Sequence, residues 1–260
     1  MSSPSPWRRR SRIISPSIPI ACRSNADRRT DPCRRCGPTK PDATMSKEAF
    51  RAARDLLLAA RGDYALAEAA FVWPRLEHFN WALDWFDSEL ASGAHGAHPA
   101  LRILAGDAET YTFRDLSQAS SRLANGLRRL GAKRGDRLLL LLGNVVELWI
   151  TLLAAMKLGL VVIPSPPQLS RRDIDERLAR AGASLVIAET SETTKLDGRE
   201  GALKRIAVGA PTPPGWSDFA DLMRAEERFT PDGATRASDP FLLYFTSGST
   251  ARPKLVVHTH

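Results

Sequence analysis

Nine consecutive residues, Thr246-Ser-Gly-Ser-Thr-Ala-Arg-Pro-Lys254, bring four hydroxyls, one glycine and two cations together. That combination suits a polyphosphate. Gly248 allows a tight turn without a Cβ penalty, so successive backbone N–H groups can converge on an anion. The hydroxyls of Thr246, Ser247, Ser249 and Thr250 add donors and potential magnesium ligands, and Arg252 and Lys254 add positive charge. A Ser/Thr-rich surface loop has similar composition. Here, though, the apolar run Phe241–Phe245 before the segment and Val256-Val257 after it hold it at a sheet end. Other phosphate or nucleophile motifs fit less well. A Walker loop needs a second glycine and a following Lys-Ser/Thr. A hydrolase elbow needs glycines two residues either side of its serine, which Ser247 and Ser249 lack.

Three other clusters have chemical spacing and a blander explanation. Cys33-Arg-Arg-Cys36 has redox or half-zinc spacing, but no second CxxC or spaced His pair accompanies it and no strand precedes it. His258-Thr-His260 alternates two imidazoles without further ligands, so no metal site is assigned. The stretch from Phe79 to Phe86 is aromatic at helical spacing, which predicts a helix docking onto a core rather than a base-stacking platform.

The elements that must position the nine-residue loop alternate. A helix is expected over 46–60, with Phe50, Ala53, Leu57 and Ala60 on one face, then a looser region up to Trp73-Pro74. Leu101–Ala105 and Thr110–Phe113 flank Gly106-Asp107 as a hairpin. Thr112 with Asp115 forms a capping box for a helix that ends at Gly131. Arg137–Leu142 reads as a buried strand. Asn144 is expected to cap the next helix, with Trp149, Leu152, Leu153 and Met156 packing inward and Gly159 ending it. Leu160–Ile163 is a strand stopped by Pro164. Ser170 with Asp173 opens a helix to Gly182, and Ser184–Ala188, Lys204–Val208 and Phe241–Phe245 are further strands, with a short helix around Asp218–Arg228. Strands apolar on both faces, alternating with helices, predict an α/β fold with a mostly parallel sheet. Ligands of such sheets bind beyond the carboxyl ends of the strands.

Charge divides the chain unevenly. The 260 residues carry a formal charge of +8, but residues 1–44 hold nine arginines and Lys40 against three aspartates, which leaves the remainder nearly neutral. All three cysteines and seven of the 18 prolines also precede Met45, so the chain is neither uniformly basic nor a disulfide scaffold. Low apolar content and frequent prolines predict a disordered basic leader over 1–44. It reads as upstream sequence before a start at Met45, as an organellar transit peptide, or as a basic tail for RNA or membrane. The longest apolar stretches are too short or too interrupted to span a bilayer.

Tyr244-Phe-Thr-Ser-Gly-Ser-Thr-Ala-Arg-Pro-Lys254 resembles the phosphate-loop signature of the adenylate-forming (AMP-dependent) acyl-CoA synthetases, Thr-Ser-Gly-Ser/Thr-Thr-Gly-x-Pro-Lys. The segments Thr112–Leu116, Arg134–Arg137 and Ala155–Pro164 resemble further core motifs of that family. Phe79–Asp84, Pro166–Leu169 and Gly215–Phe219 are similar in placement to its medium-chain and benzoate-type branch. The resemblance covers about residues 70–260. It implies the N-terminal part of the family's large α/β domain over 45–260, interrupted after the phosphate loop.

It also implies a ligase that joins a carboxylic acid to coenzyme A through an acyl-adenylate, using ATP and Mg2+. Thr246, Ser247, Gly248, Ser249, Thr250, Ala251, Arg252, Pro253 and Lys254 would then hold the β- and γ-phosphates. The catalytic residues would lie downstream of His260, and the isolated chain is expected to be inactive. Two departures stand out: Ala251 and Leu255 replace glycines of the pattern. If position 251 needs positive φ, alanine costs about 1 kcal/mol. The partners expected are a small carboxylic acid, ATP and CoA, with no nucleic acid, in the cytoplasm, or in the mitochondrion if 1–44 is a transit peptide. Open alternatives are a non-catalytic ATP-binding fragment and a nucleic-acid binder acting through the leader.

Overall fold

The computed structural model describes residues 43–104, 108–199, 201, 203–246 and 253–260. The first elements are helical: α1 (Ala43–Ala59), then α2 (Tyr64–Ala70), whose N-terminus is capped by Asp63 accepting the Leu66 N–H at 2.9 Å. The second helix occupies part of the region expected to be loose. Trp81–Ala91 follow as a π-helix. Buried Asn80 starts it by accepting from the N–H groups of Ala82 and Leu83. Its amide also donates to Met156 O at 2.7 Å and Thr235 Oγ1 at 3.0 Å. The aromatic stretch therefore docks onto the core as expected, with Trp85 and Phe86 buried, but in a wider helix than its spacing announces.

β1 (Pro99–Ile103) and β2 (Glu109–Thr112) pair antiparallel as the anticipated hairpin, and residues 105–107 at its turn lie outside the described residues. The Thr112–Asp115 capping box then opens α3 (Phe113–Arg129). β3 (Arg137–Leu141) leads to α4 (Val146–Leu158), which Gly159 ends at φ +76°, and on to β4 (Val161–Pro164). The Ser170–Asp173 box opens α5 (Arg171–Ala181), ended by left-handed Gly182. β5 (Leu185–Glu189), β6 (Lys204–Val208), β7 (Ser217–Asp218), α6 (Phe219–Leu222), β8 (Pro240–Thr246) and β9 (Lys254–Thr259) complete the order.

Seven strands form one sheet in the order β7-β6-β5-β3-β4-β8-β9. Every pairing is parallel except β8 with β9. The central strands β3, β4 and β5 are buried on both faces, which explains why they read as continuous apolar runs, whereas the edge strand β9 is largely exposed. Leu138, Leu140, Val162, Leu185, Ile187 and Ile206 pack against α3 and α4; Leu139, Leu141, Ile163, Val186 and Ala188 pack toward α5. The expected mostly parallel α/β architecture is what the chain adopts.

Three local expectations are corrected. Asn144 does not cap α4. Val145 occupies the cap position without a side-chain bond, and Asn144 Oδ1 instead accepts from Trp149 Nε1 at 3.4 Å. Nor does Trp149 pack fully inward: it is 41% exposed. Finally, the helix expected around 218–228 is the single turn of α6, started by Asp218 accepting the Ala220 N–H.

Candidate functional site

A cleft of about 530 Å³ opens where the carboxyl ends of β3, β4 and β8 come together. Leu140 and Leu142 come from the end of β3, Pro164, Ser165 and Pro166 from the end of β4, and Tyr244, Phe245 and Thr246 from the end of β8. The Gly143 turn after β3 is fixed by its N–H donating to Glu189 Oε1 at 2.7 Å, and beyond Pro164 the Ser165 N–H makes one further bond to Leu140 O at 2.9 Å. Because β3 has β4 on one side and β5 on the other, the chain changes winding direction beside this crevice. Open α/β sheets place their ligands at such a point.

Thr246 is the last residue of β8, half-buried, and Lys254 is the first of β9, exposed. The two are register partners in the antiparallel ladder, so the strands hold both ends of the intervening segment side by side. Pro253 lines the cleft. Ser247, Gly248, Ser249, Thr250, Ala251 and Arg252 lie outside the described residues.

A side chain that sequence reasoning did not single out joins them. Arg177, on α5, places its Cζ 4.5 Å from the centre of the Phe245 ring. It lines this cleft and also a neighbouring hollow of about 390 Å³, formed with Arg172, Asp173 and Glu176. Burial pulls its pKa below the ordinary arginine value, while Asp173 and Glu176 oppose that shift. The only sequence signal was its place three residues after Ile174 and one before Leu178, next to the buried stripe of α5.

The other sequence candidates stand apart from this crevice. His260 lines a smaller cavity of about 310 Å³ with Arg134 and Asp239, which pair at 3.1 Å. Burial lowers the His260 pKa, and its ring tilts against Phe241 at 5.4 Å. His258 meets Tyr244 edge-on at 6.2 Å. Among the described residues no group of three or more His, Cys, Asp or Glu comes together to hold a metal, and no helix is long and apolar enough to cross a membrane. The Cys33–Cys36 pair lies outside the described residues.

The family described as AMP-binding enzyme matches residues 89–260. The acyl-coenzyme A synthetase ACSM5, mitochondrial, of Rattus norvegicus is 34% identical over 196 residues, covering 72% of this chain and 34% of that protein. The human protein of the same name is 32% identical over 193 residues, covering 70% of this chain and 33% of its own length. Among solved structures, the acyl-CoA synthetase of Brucella canis is 26% identical, with a TM-score of 0.64 over 77% of this chain and 37% of that one. The anthranilate CoA ligase AuaEII, in complex with anthranoyl-AMP, shares the fold at a TM-score of 0.63 and 21% identity, over 72% of this chain and 35% of its own. The chain spans about a third of the length of the curated relatives it matches.

Proposed function

The chain belongs to the AMP-binding enzyme family, and from that premise we propose that it is the ATP-handling portion of an acyl-CoA ligase. In the reaction proposed, a carboxylate oxygen attacks the α-phosphorus of ATP and pyrophosphate leaves. The thiolate of coenzyme A then attacks the acyl carbon, and AMP leaves. The observation that carries the reading is the crevice at the carboxyl ends of β3, β4 and β8, framed by Thr246 and by Pro253 with Lys254.

The chemistry assigned to this part is electrostatic. Thr246, Ser247, Ser249 and Thr250 donate hydroxyl and backbone hydrogen bonds to the β- and γ-phosphates, Gly248 lets the backbone approach, and Lys254 offsets charge. Positioning of this kind is the main protein contribution to phosphoryl chemistry. Magnesium enters with ATP as the counter-ion of its phosphates, and the loop hydroxyls are the groups suited to meet it.

The domain reading is that residues 45–260 form the N-terminal part of the AMP-binding domain, preceded by a basic leader over 1–44. Helix α1 starts at Ala43, just before Met45. The relatives carry "mitochondrial" in their names, which supports the transit-peptide reading of the leader over a cytoplasmic setting. With about a third of the relatives' length, the 260-residue chain is proposed to bind MgATP without completing acyl-CoA synthesis. Calorimetry with MgATP and a pyrophosphate-exchange assay test both halves. Lys254→Ala should weaken MgATP binding, and exchange should be absent. No MgATP binding by the wild-type chain would overturn the phosphate site, and acyl-adenylate formed by it would overturn the inactivity.

A further inference from the structure

An arginine guanidinium half-withdrawn from water and stacked on an aromatic face presents a preset fork of donors to an anion. Arg177, half-buried on α5, is in that position. Its Cζ stands 4.5 Å from the centre of Phe245, the residue immediately before Thr246, where the chain leaves β8. Pro253, immediately before Lys254, lines the same two hollows as Arg177. The guanidinium is therefore placed beside both ends of the loop. Among the described residues lining the carboxyl-end cleft, Arg177 is the one cation; the others are aliphatic, aromatic, proline or hydroxyl side chains.

We propose that Arg177 is a polyphosphate-binding residue, whose guanidinium contacts the β- and γ-phosphate oxygens of ATP from the α5 side while stacked on Phe245. The inference rests on the reading of residues 246–254 as the phosphate site. The chemistry favours arginine here. A planar fork of N–H donors engages two phosphate oxygens at once, whereas Lys254 acts as a point charge. Stacking on Phe245 fixes the plane of the fork beforehand, so less rotamer freedom is lost on binding. Asp173 and Glu176, the carboxylates that face Arg177 from its own helix, keep the cation compensated until the anion arrives.

Arg180 supplies an internal control. It also lies over Phe245, at 5.2 Å, but it is paired with Glu176 at 2.9 Å and lines neither hollow. The experiment is calorimetry on the 260-residue chain with three probes: MgATP, magnesium pyrophosphate and AMP. Arg177→Gln should weaken MgATP and pyrophosphate by about tenfold, the usual scale for a lost charge-assisted contact. AMP, which lacks the β- and γ-phosphates, should bind as before. Arg177→Lys should recover part of the loss, and Arg180→Gln should leave all three affinities unchanged.

A merely structural role would weaken AMP together with ATP, and that result would overturn the proposal. Equal losses in Arg177→Gln and Arg180→Gln would overturn it too, because they would report a general field. Wild-type affinity for MgATP in Arg177→Gln overturns this inference alone. A wild-type chain that binds neither MgATP nor pyrophosphate overturns the loop reading and this one with it.

Discussion

Lys157 Nζ lies 2.8 Å from Asp87 Oδ2, and none of the lysine side chain reaches solvent. The same ammonium donates to Ser117 O and Ser121 Oγ, each at 2.9 Å, and Ser117 Oγ donates to Asp87 Oδ1 at 2.7 Å. One cation thus ties the π-helix, α3 and α4 into the layer that backs the sheet. Each of its three donors has a partner, which is the condition under which a buried charge is tolerated.

Removing only the carboxylate should be worse than removing both charges. Asp87→Ala strands the ammonium and should destabilise the chain by about 3 kcal/mol, the lower end of the usual range because the Asp87 side chain is still 25% exposed. The double substitution Asp87→Leu, Lys157→Met should recover most of that loss. Urea unfolding of the three chains measures it, and an Asp87→Ala midpoint equal to wild type would refute the assignment.

Lys157 also has a signature in alkali. Burial pulls its pKa below the ordinary 10.5, against the attraction of Asp87. Between the lowered folded value and 10.5 the unfolded chain binds more protons than the folded one, so this group's contribution to stability rises with pH across that window. Below the window it is charged in both states and the burial penalty is complete. Lys157→Met should flatten the rise. Tyr111 acts oppositely: its hydroxyl donates to Glu109, which pushes its pKa up to about 12, so its stabilisation is complete below pH 10 and lost as pH rises through 12. Denaturation midpoints from pH 7 upward, compared between wild type and Lys157→Met, isolate the lysine.

Acid should weaken the helix starts. The Thr112 hydroxyl and N–H both donate to Asp115 and hold its carboxyl below the usual range. Its stabilisation is present above the ordinary carboxyl pKa and lost as pH falls through the folded value. Thr112→Ala should cost about 1 kcal/mol at neutral pH and weaken the acid dependence. NMR titration of Asp115 would show its pKa moving up toward the unperturbed value; an unmoved pKa would show that the box is not its cause.

If residues 246–254 hold phosphate as proposed and position 251 needs positive φ, Ala251→Gly should tighten MgATP binding several-fold, about 1 kcal/mol. Calorimetry on the two chains decides it. Unchanged or weaker binding would mean that alanine is accommodated in an ordinary conformation.

Much of the frame was legible because it is written in local chemistry. The boxes at Thr112–Asp115 and Ser170–Asp173 and the glycine stops at 159 and 182 are rules of a single helix end, and the structure shows all four. Asn144 misled because its side chain finds a tertiary partner, the indole of Trp149, instead of the helix N-terminus. The π-helix was hidden because its core contacts, Trp85 and Phe86, also satisfy ordinary helical spacing. Lys157 carries no local signal of its burial, because its partner Asp87 lies 70 positions earlier. Of the candidate site, Thr246 and Lys254 were singled out by residue type, and the structure registers them opposite each other across β8 and β9. Arg177 was not, because its relation to Phe245 exists only once α5 packs on β8.

The antiparallel pairing of β9 with β8 gives the proposed phosphate site a property that its residue types alone do not. With Thr246 and Lys254 registered opposite each other, the two ends of the segment between them are held together by the ladder. The entropy of bringing those ends together is lost when the two strands pair, not when a ligand arrives. Substitutions that fray the β8–β9 ladder, at a distance from Thr246 and Lys254, would therefore weaken binding by letting the two ends separate.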